Sequence, residues 1–210
     1  MSIITSVTAQ KNKRRVNIFL DGEYSFSLDL DNFGQLGLKV GKELNQEEVS
    51  EIVKKSEFQK AFDKTLNFAT RRPRSQKEIA DYFRRKEIDI SIHQIIIDRL
   101  KRLELLDDQK FAKWWVEQRL RFKNKSKKDI TFELRQKGID NQTIKNVLDD
   151  SEIDELKIAK ELIKKKYYKW KKYDGGDKSH EKIRNQKIAQ YLSGKGFSWE
   201  IINSVIDINQ

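Results

Sequence analysis

The chain has 210 residues and a formal net charge of +11, from 44 lysines and arginines against 33 aspartates and glutamates. It contains no cysteine, which excludes disulfides and Cys-ligated zinc. Its two histidines, His93 and His180, lie too far apart in sequence to suggest a histidine-based metal site. No apolar run approaches the roughly 18–20 residues of a membrane span, and no signal peptide precedes Ile3. We therefore expect a soluble, cytoplasmic protein without membrane association, metal or cofactor.

The positive charge is concentrated in one part of the chain. Residues 1–58 hold eight basic and nine acidic residues, a net charge of −1, whereas residues 59–210 hold 36 basic and 24 acidic residues, a net charge of +12. The mean hydropathy of −0.81 indicates a surface that is large relative to the core. This distribution predicts binding to a polyanion, or to a partner that is itself bound to one.

The first 57 residues predict a small β-rich module. Apolar residues alternate with polar ones in three runs between residues 3 and 28, as in strands with one buried face. Asp21-Gly22 between the last two runs predicts a hairpin, because both turn positions tolerate positive φ. Helices are expected over residues 31–36 and 46–55. Because one hairpin is not stable alone, the module must pack on the first repeat or on a partner.

From residue 57 the pattern becomes helical, and one motif recurs. RRPRSQKEIADYFRRKEID spans residues 71–89, SKKDITFELRQKGID spans 126–140, and a fainter copy, KIAQYLSGKGFSWEII, spans 187–202. Offsets of 51 and then 58 residues align the three copies. Self-similarity at a period of about fifty residues predicts an array of helical units that lean on their neighbours.

Local signals place the helix ends within the repeats. Pro73 ends the first helix of repeat one. Ser75 is expected to accept a hydrogen bond from the amide of Glu78 while the Glu78 carboxylate reaches back, as in a capping box. Gly138 is suited to the left-handed backbone that ends the matching helix of repeat two. Glu87 occupies that position in repeat one, at a higher conformational cost.

These patterns predict a mainly α-helical protein. We expect three tandem three-helix, helix-turn-helix-like repeats, preceded by a small N-terminal module that contains a β-hairpin. Units that touch mainly their neighbours predict an elongated, curved array and a monomer. The predicted boundaries are 1–57 for the module and 58–106, 107–151 and 152–210 for the repeats.

Four segments resemble the RecX regulatory family in their order and spacing: RRPRSQKEIADYF, LLDDQKFAKWWVEQRL, SKKDITFELRQKGI and KGFSWEII. The resemblance covers residues from about 58 to 208, and the β-rich start resembles the N-terminal extension of some members. Members bind in the groove of the RecA–DNA filament and restrain its recombinase, ATPase and co-protease activities. The resemblance thus implies a bacterial regulator of DNA repair, homologous recombination and the SOS response. Two departures are Glu87, where glycine is usual, and Gly194-Lys195, which replaces a more basic pair.

Three basic clusters are the candidate residues for binding the RecA filament or DNA. The first two occupy matching places in adjacent repeats, and the third is interleaved with Tyr167, Tyr168 and Trp170. The three clusters are, in order, Arg71, Arg72, Arg74 and Lys77; Arg119, Arg121, Lys123, Lys125, Lys127 and Lys128; and Lys164, Lys165, Lys166, Lys169, Lys171 and Lys172.

Helix N-termini present free amides, so added arginines predict an anion site for a phosphate or for a carboxylate on RecA. The alternative is a solvated surface, as for most charge runs. Recurrence at matching positions favours a binding role for the first two clusters, which should form one basic surface. Arg72 and Arg74 are expected to be exposed and therefore replaceable without loss of the fold.

The aromatic residues of the repeats are assigned mainly to the core. Tyr167 and Trp170 lie on an apolar helical stripe, which favours core packing over base stacking. Trp114 and Trp115 are adjacent and cannot face the same way. One is expected in the core, and the other against the next repeat or a partner.

Catalysis is poorly supported by the sequence, which has no phosphate-binding loop and no nucleophile–base motif. We therefore expect a protein that is not an enzyme. His93, in an isoleucine-rich helix, is expected to be a partly exposed structural residue. Three carboxylate pairs could suggest a metal-dependent nuclease, but each lies at a predicted element boundary and is better explained by caps and turns. The pairs are Asp29 and Asp31, Asp107 and Asp108, and Asp149 and Asp150.

Two hypotheses of function remain open at the level of sequence. The first is a regulator that binds the RecA filament on single-stranded DNA and also binds DNA weakly by itself. The second is a stand-alone DNA-binding protein, because three-helix units can place a helix in the major groove. Charge cannot separate the two, because RecA filaments contain DNA.

Overall fold

The computed structural model describes residues 1–11, 13–175 and 177–208. The strands are β1 (Ser2–Ala9), β2 (Arg15–Leu20), β3 (Glu23–Asp29) and β4 (Glu43–Leu44). The α-helices are α1 (Leu30–Gln35), α2 (Gln46–Thr70), α3 (Gln76–Arg85), α4 (His93–Arg102), α5 (Asp108–Lys123), α6 (Lys127–Gln136), α7 (Asn141–Asp149), α8 (Glu155–Lys166), α9 (Lys178–Ser193) and α10 (Trp199–Ile208). Single 3₁₀ turns cover Ile90–Ile92, Tyr167–Lys169 and Lys171–Tyr173. This mainly α-helical architecture with a small N-terminal sheet confirms the predicted fold class.

The chain forms two compact units. One comprises residues 1–68 and 87–96, and the other comprises residues 69–86 together with those from 97 onward. This division cuts through the predicted first repeat, and the predicted repeat boundaries stay predictions. Among the described helices, none is long and apolar enough to cross a membrane.

The sheet of the first unit is antiparallel, with strand order β3-β2-β1-β4. Asp21 and Gly22 have φ values of 51° and 91° and form the predicted tight turn between β2 and β3. One face of the sheet buries its apolar side chains together with Ile52 of α2. Arg15 Nη2 also donates a hydrogen bond to Ser56 Oγ of α2 at 3.0 Å. The hairpin is therefore stabilised by α2, which supplies the packing partner that its small size requires.

Helix α2 is continuous from Gln46 to Thr70, where the sequence predicts one helix over residues 46–55 and a second from about residue 57. No glycine or proline interrupts residues 46–70, so nothing in the sequence breaks the hydrogen-bond ladder there. Asn45 and Glu48 form a reciprocal cap, in which each backbone N–H donates to the side chain of the other at 2.7–2.8 Å. The predicted boundary after residue 57 therefore lies inside a helix.

The second unit contains two three-helix cores of the same plan. Helices α5, α6 and α7 enclose one core, and α8, α9 and α10 enclose the other. The offset of 58 residues aligns buried residues of the two cores, which confirms the repeat alignment in this part of the chain. The aligned buried pairs are Ile130 with Ile188, Leu134 with Leu192, and Ile139 with Phe197.

The segment after α8 departs from the predicted continuous helical stripe. Trp170 is buried, as predicted, but the prediction that Tyr167 lies in the core is wrong, because its side chain is 47% exposed. Helix α8 ends at Lys166, and the following 3₁₀ turns change the angle at which side chains leave the backbone. The Tyr167 hydroxyl bonds to the Asp174 carboxylate instead.

Candidate functional site

The first turns of α3 and α6 are each covered by the following repeat. Ser75 Oγ donates to the backbone carbonyl of Lys137 at 2.7 Å, and Ser126 Oγ donates to the carbonyl of Lys195 at 2.8 Å. Both serines are fully buried. Each also caps its own helix, accepting from the N–H three residues later at 3.2 Å. We call these contacts joint 1, at Ser75, and joint 2, at Ser126.

A second pair of bonds completes the joints. The N–H of Gln76 donates to Asp108 Oδ1 at 2.8 Å in joint 1, and the N–H of Lys127 donates to Glu155 Oε1 at 2.9 Å in joint 2. Asp108 and Glu155 are the first residues of α5 and α8. Carboxylates of the chain itself therefore accept hydrogen bonds from one first-turn amide of α3 and one of α6, the helices at whose N-termini an external anion was predicted. Binding of an external anion there stays a prediction.

Glycine is required where the joints close. Gly138 has a φ of +81°, and a Cβ atom there would lie 2.7 Å from Lys77 Cβ, far inside normal contact distance. Gly196, with a φ of +80°, would place a Cβ atom 2.8 Å from Ser126 Oγ. Glu87 adopts the same left-handed backbone with a φ of 51°, yet its side chain is exposed. This fits the departure at Glu87, because no three-helix repeat precedes repeat one in the part of the chain that the structure describes, and the left-handed turn at Glu87 is not covered.

Glu78 lies at the centre of an ion network that joins α3 to the second repeat. Its carboxylate accepts hydrogen bonds from Arg72 at 2.8 and 3.0 Å and from Lys137 Nζ at 2.6 Å. Burial raises the pKa of the Glu78 carboxyl, but the bonds from Arg72 and Lys137 outweigh it and hold the pKa below its ordinary value. Glu78 therefore holds two cations, and does not reach back to Ser75 as the predicted capping box requires.

The network continues through Trp115 into the second basic cluster. Lys137 Nζ lies 5.1 Å from the centroid of the Trp115 ring, and the Arg119 guanidinium lies 3.9 Å from it. Trp115 Nε1 donates to Glu133 at 2.9 Å, and Arg119 pairs with the same carboxylate. Lys125 approaches Glu133 at 3.6 Å. Contacts within the protein thus connect the first basic cluster to the second and neutralise part of both.

One of the two adjacent tryptophans lies in the core, as predicted, whereas the other borders the same core and does not pack against the next repeat as expected. Trp115 is buried in the core of the second repeat. Trp114 is half-buried, and the guanidinium of Arg72 lies 5.6 Å from its ring centroid. Trp114 therefore packs against a residue of the preceding repeat.

Several predicted binding residues are engaged within the fold. Arg72, Arg119 and Lys125 are in ion pairs with carboxylates, and Lys77 Nζ donates to the carbonyl of Gln136 at 2.9 Å. The expectation that Arg72 is exposed is wrong, because only 31% of its side chain is exposed and its guanidinium pairs with the Glu78 carboxylate. That the fold survives its replacement stays a prediction. Removing Arg72 would test stability as well as binding.

The other predicted binding residues are exposed or half-buried. Arg74 and Lys127 are half-buried. Burial lowers the pKa of the Arg74 guanidinium, and the neighbouring positive charges of Arg72 and Arg71 lower it further. The exposed predicted residues are Arg71, Arg121, Lys123, Lys128, Lys164, Lys165, Lys169 and Lys171.

The carboxylates of the network were missed by sequence reasoning. Glu78 and Glu133 pair with some of the predicted binding cations, whereas others remain exposed to a partner. In the sequence, both glutamates are close to the basic clusters. One signal for the network was present in the sequence: lysine occupies the same position in all three repeats, as Lys86, Lys137 and Lys195. The partner of Lys137 could not be identified, because Lys137 and Glu78 lie 59 residues apart in sequence.

Three of the paired aspartates, Asp29, Asp107 and Asp150, lie at helix ends as predicted, whereas Asp108 bonds to the first turn of α3. Asp29 and Asp107 cap α1 and α5 by accepting backbone amide bonds, and Asp150 follows the last residue of α7. In the described ranges no group of three or more acidic or histidine side chains could hold a metal ion. His93 is half-buried, with Nε2 2.8 Å from the carbonyl of Ile88.

Replacing Ser75 with alanine is expected to lower the free energy of unfolding by about 2 kcal/mol. About half of this is the lost helix cap, and the remainder is the buried Lys137 carbonyl left without its donor. Asp140→Ala is the matched control, because Asp140 caps α7 from an exposed position and should cost only about 1 kcal/mol. Urea unfolding followed by circular dichroism measures both. Equal losses would show that joint 1 adds nothing to the cap.

Family models match the chain in four successive segments. They are described as the RecX N-terminal domain, over residues 2–45, and the first, second and third three-helix domains of RecX, over 61–100, 107–148 and 152–206. The chain is 35% identical to a regulatory protein RecX of Bacillus subtilis, over 99% of this chain and 77% of the relative. It is 37% identical to a regulatory protein RecX of Oceanobacillus iheyensis, over 98% and 76%.

Solved structures agree with these matches. A crystal structure of regulatory protein RecX superposes with a TM-score of 0.71 at 27% identity, covering 99% of this chain and all of the other. The crystal structure of RecX from Lactobacillus salivarius superposes with a TM-score of 0.62 at 26% identity, covering 72% of this chain and 95% of the other. The matches to sequence and to structure extend over nearly the whole chain, and the chain therefore belongs to the RecX family of regulatory proteins.

Proposed function

We propose that the protein binds the RecA filament on single-stranded DNA and inhibits its recombinase, ATPase and co-protease activities. The observation that carries the proposal is family membership along nearly the whole chain, with relatives that are named regulatory proteins. In this role the protein regulates DNA repair, homologous recombination and the SOS response. It acts as a monomer in the cytoplasm, through binding and not through catalysis.

The exposed cations support a partner that carries negative charge. Arg121, Lys123 and Lys128 remain exposed in the second cluster, although Arg119 and Lys125 are paired internally. In a filament these cations could meet DNA phosphates or RecA carboxylates. Each lost phosphate contact lowers the salt slope of binding by about 0.7. A lost carboxylate contact lowers affinity for the filament and leaves affinity for bare DNA unchanged.

A stand-alone DNA-binding protein is the second candidate, supported by the helix-turn-helix-like repeats. The occupied first-turn amides of α3 and α6 weigh against phosphate docking at these helix ends. The affinity for single-stranded DNA, measured with and without RecA and ATP, separates the two candidates. A large increase in affinity with RecA supports the filament regulator, and an unchanged affinity supports the DNA-binding protein.

In a titration of the DNA-dependent ATPase of RecA, we expect inhibition when the protein is equal to RecA or less abundant. A variant with Arg121→Ala, Lys123→Ala and Lys128→Ala should need about tenfold more protein, because three exposed charge contacts of about 0.5 kcal/mol each are lost. These side chains are exposed and form no ion pair within the described residues, so the fold should survive.

The control variant carries Lys39→Ala, Lys54→Ala and Lys55→Ala, which removes the same charge from exposed positions in the first unit. It should inhibit like the parent. The protein alone should release no phosphate from ATP. A RecA ATPase rate that stays constant at saturating protein would contradict the proposed function.

A further inference from the structure

An exposed phenylalanine lies inside a strongly basic stretch of the chain. Residues 119–128 contain six lysines and arginines and no acidic residue. Phe122, near the end of α5, is 62% exposed. The guanidinium of Arg121 lies 5.3 Å from its ring centroid, and the ring still offers most of its surface to solvent. An aromatic face between cations is the arrangement with which proteins hold single-stranded nucleic acid, through stacked bases and neutralised phosphates.

A second exposed ring lies in the third basic cluster. Tyr168 is 69% exposed, and Lys164, Lys165 and Lys169 around it in sequence are exposed as well. Unlike Tyr167, whose hydroxyl bonds to Asp174, Tyr168 forms no hydrogen bond within the described residues.

The fold brings these two regions together. Asn124, two residues after Phe122, donates a hydrogen bond from Nδ2 to Glu161 Oε2 of α8 at 3.1 Å. Lys164 and Lys165 follow Glu161 by about one helical turn, a rise of about 5–6 Å along α8. The end of α5 and the end of α8 thus present two basic regions, each with an exposed aromatic ring, on neighbouring parts of the second unit.

We propose that Phe122 and Tyr168 are stacking platforms for the bases of single-stranded nucleic acid, with the exposed cations beside them contacting its phosphates. This site deepens the proposed function, because it gives the protein its own contact with the strand that a filament contains. It operates without RecA, and its test is therefore independent of the test of filament regulation.

The test measures binding of a fluorescein-labelled oligo(dT) of about 20 nucleotides to the full chain by anisotropy, at several salt concentrations. Phe122→Leu and Tyr168→Leu, which keep an apolar side chain and remove the ring, are each expected to weaken binding about tenfold. The salt slope should stay that of the parent, because no phosphate contact is lost. Lys123→Ala should instead lower the slope by about 0.7.

The controls separate stacking from general effects. Phe122→Tyr keeps a ring and should bind like the parent. Phe132→Leu removes an equally exposed ring, 61% in solvent, next to the acidic Glu133, and should have no effect. A duplex of the same length, whose bases are already stacked, should bind both leucine variants like the parent. Unchanged oligo(dT) affinity of both variants, or no measurable binding by the parent, would overturn the inference and leave the RecA ATPase result unaffected.

Discussion

Replacing Gly138 with alanine is expected to lower the free energy of unfolding by about 3 kcal/mol. The left-handed backbone at this position costs a residue with a Cβ atom about 1–2 kcal/mol. The new methyl group would also lie 2.7 Å from Lys77 Cβ, which is fixed to its backbone and cannot rotate away. Forcing α3 and the second repeat apart adds about 1–3 kcal/mol. Urea unfolding at constant pH measures the loss.

Gly41→Ala is the matched control for Gly138→Ala. Gly41 has a similar φ of +85°, but a Cβ atom there meets nothing within 4 Å. This variant therefore carries the backbone cost alone, about 1–2 kcal/mol. The difference between the two variants measures the close approach in joint 1. If both variants lose the same free energy, α3 and the second repeat adjust without cost and joint 1 does not fix their packing.

Glu78→Ala is expected to destabilise the protein by about 2–3 kcal/mol. The change leaves Arg72 and Lys137 close together without the carboxylate that holds them, in a place where only 11% of the Glu78 side chain meets solvent. Asp81→Ala is the control in the same helix, because it breaks an exposed ion pair with Arg84. The Arg84 side chain is 81% exposed and the Asp81 side chain is 48% exposed. That loss should be below about 0.5 kcal/mol.

The pH dependence of stability gives a second measure of Glu78. The pKa of the carboxyl is lower in the folded state than its ordinary value of 4.5. Its contribution is therefore fully present above about pH 4.5 and is lost as the pH falls through the lower folded pKa. The parent should lose more stability than Glu78→Gln between pH 6 and pH 3. If stability falls equally with pH in the two proteins, the negative charge of Glu78 does not contribute to the stability of the network.

The internal network changes which cations are useful for probing function. Arg72, Arg119 and Lys125 belong to ion pairs within the fold, so a loss of binding in their variants would mix stability with recognition. Lys123 and Lys128 are exposed and avoid this difficulty. The predicted basic surface thus divides into a structural part and a part available to a partner.

The sequence by itself determined the features that depend on neighbouring residues. Asp21-Gly22 specified the hairpin, and Ser75 and Ser126 specified helix starts, because a turn or a cap acts over two to four residues. The offsets of 51 and 58 residues predicted the three-helix repeats, since aligned apolar residues such as Leu134 and Leu192 occupy equivalent core positions. The same motifs indicated the family.

Only the tertiary structure decided what those motifs contact across the chain. Ser75 bonds to a carbonyl 62 residues away, and Glu78 pairs with a lysine 59 residues away. No local pattern encodes such partners. The sequence also could not show which cations are free to bind a partner. Lysines and arginines in one run look alike, and only the packing of the repeats decides which of them meet a carboxylate. The same packing explains why glycine is needed at residues 138 and 196 and not at residue 87. A Cβ atom is excluded only where the turn packs closely against the preceding repeat.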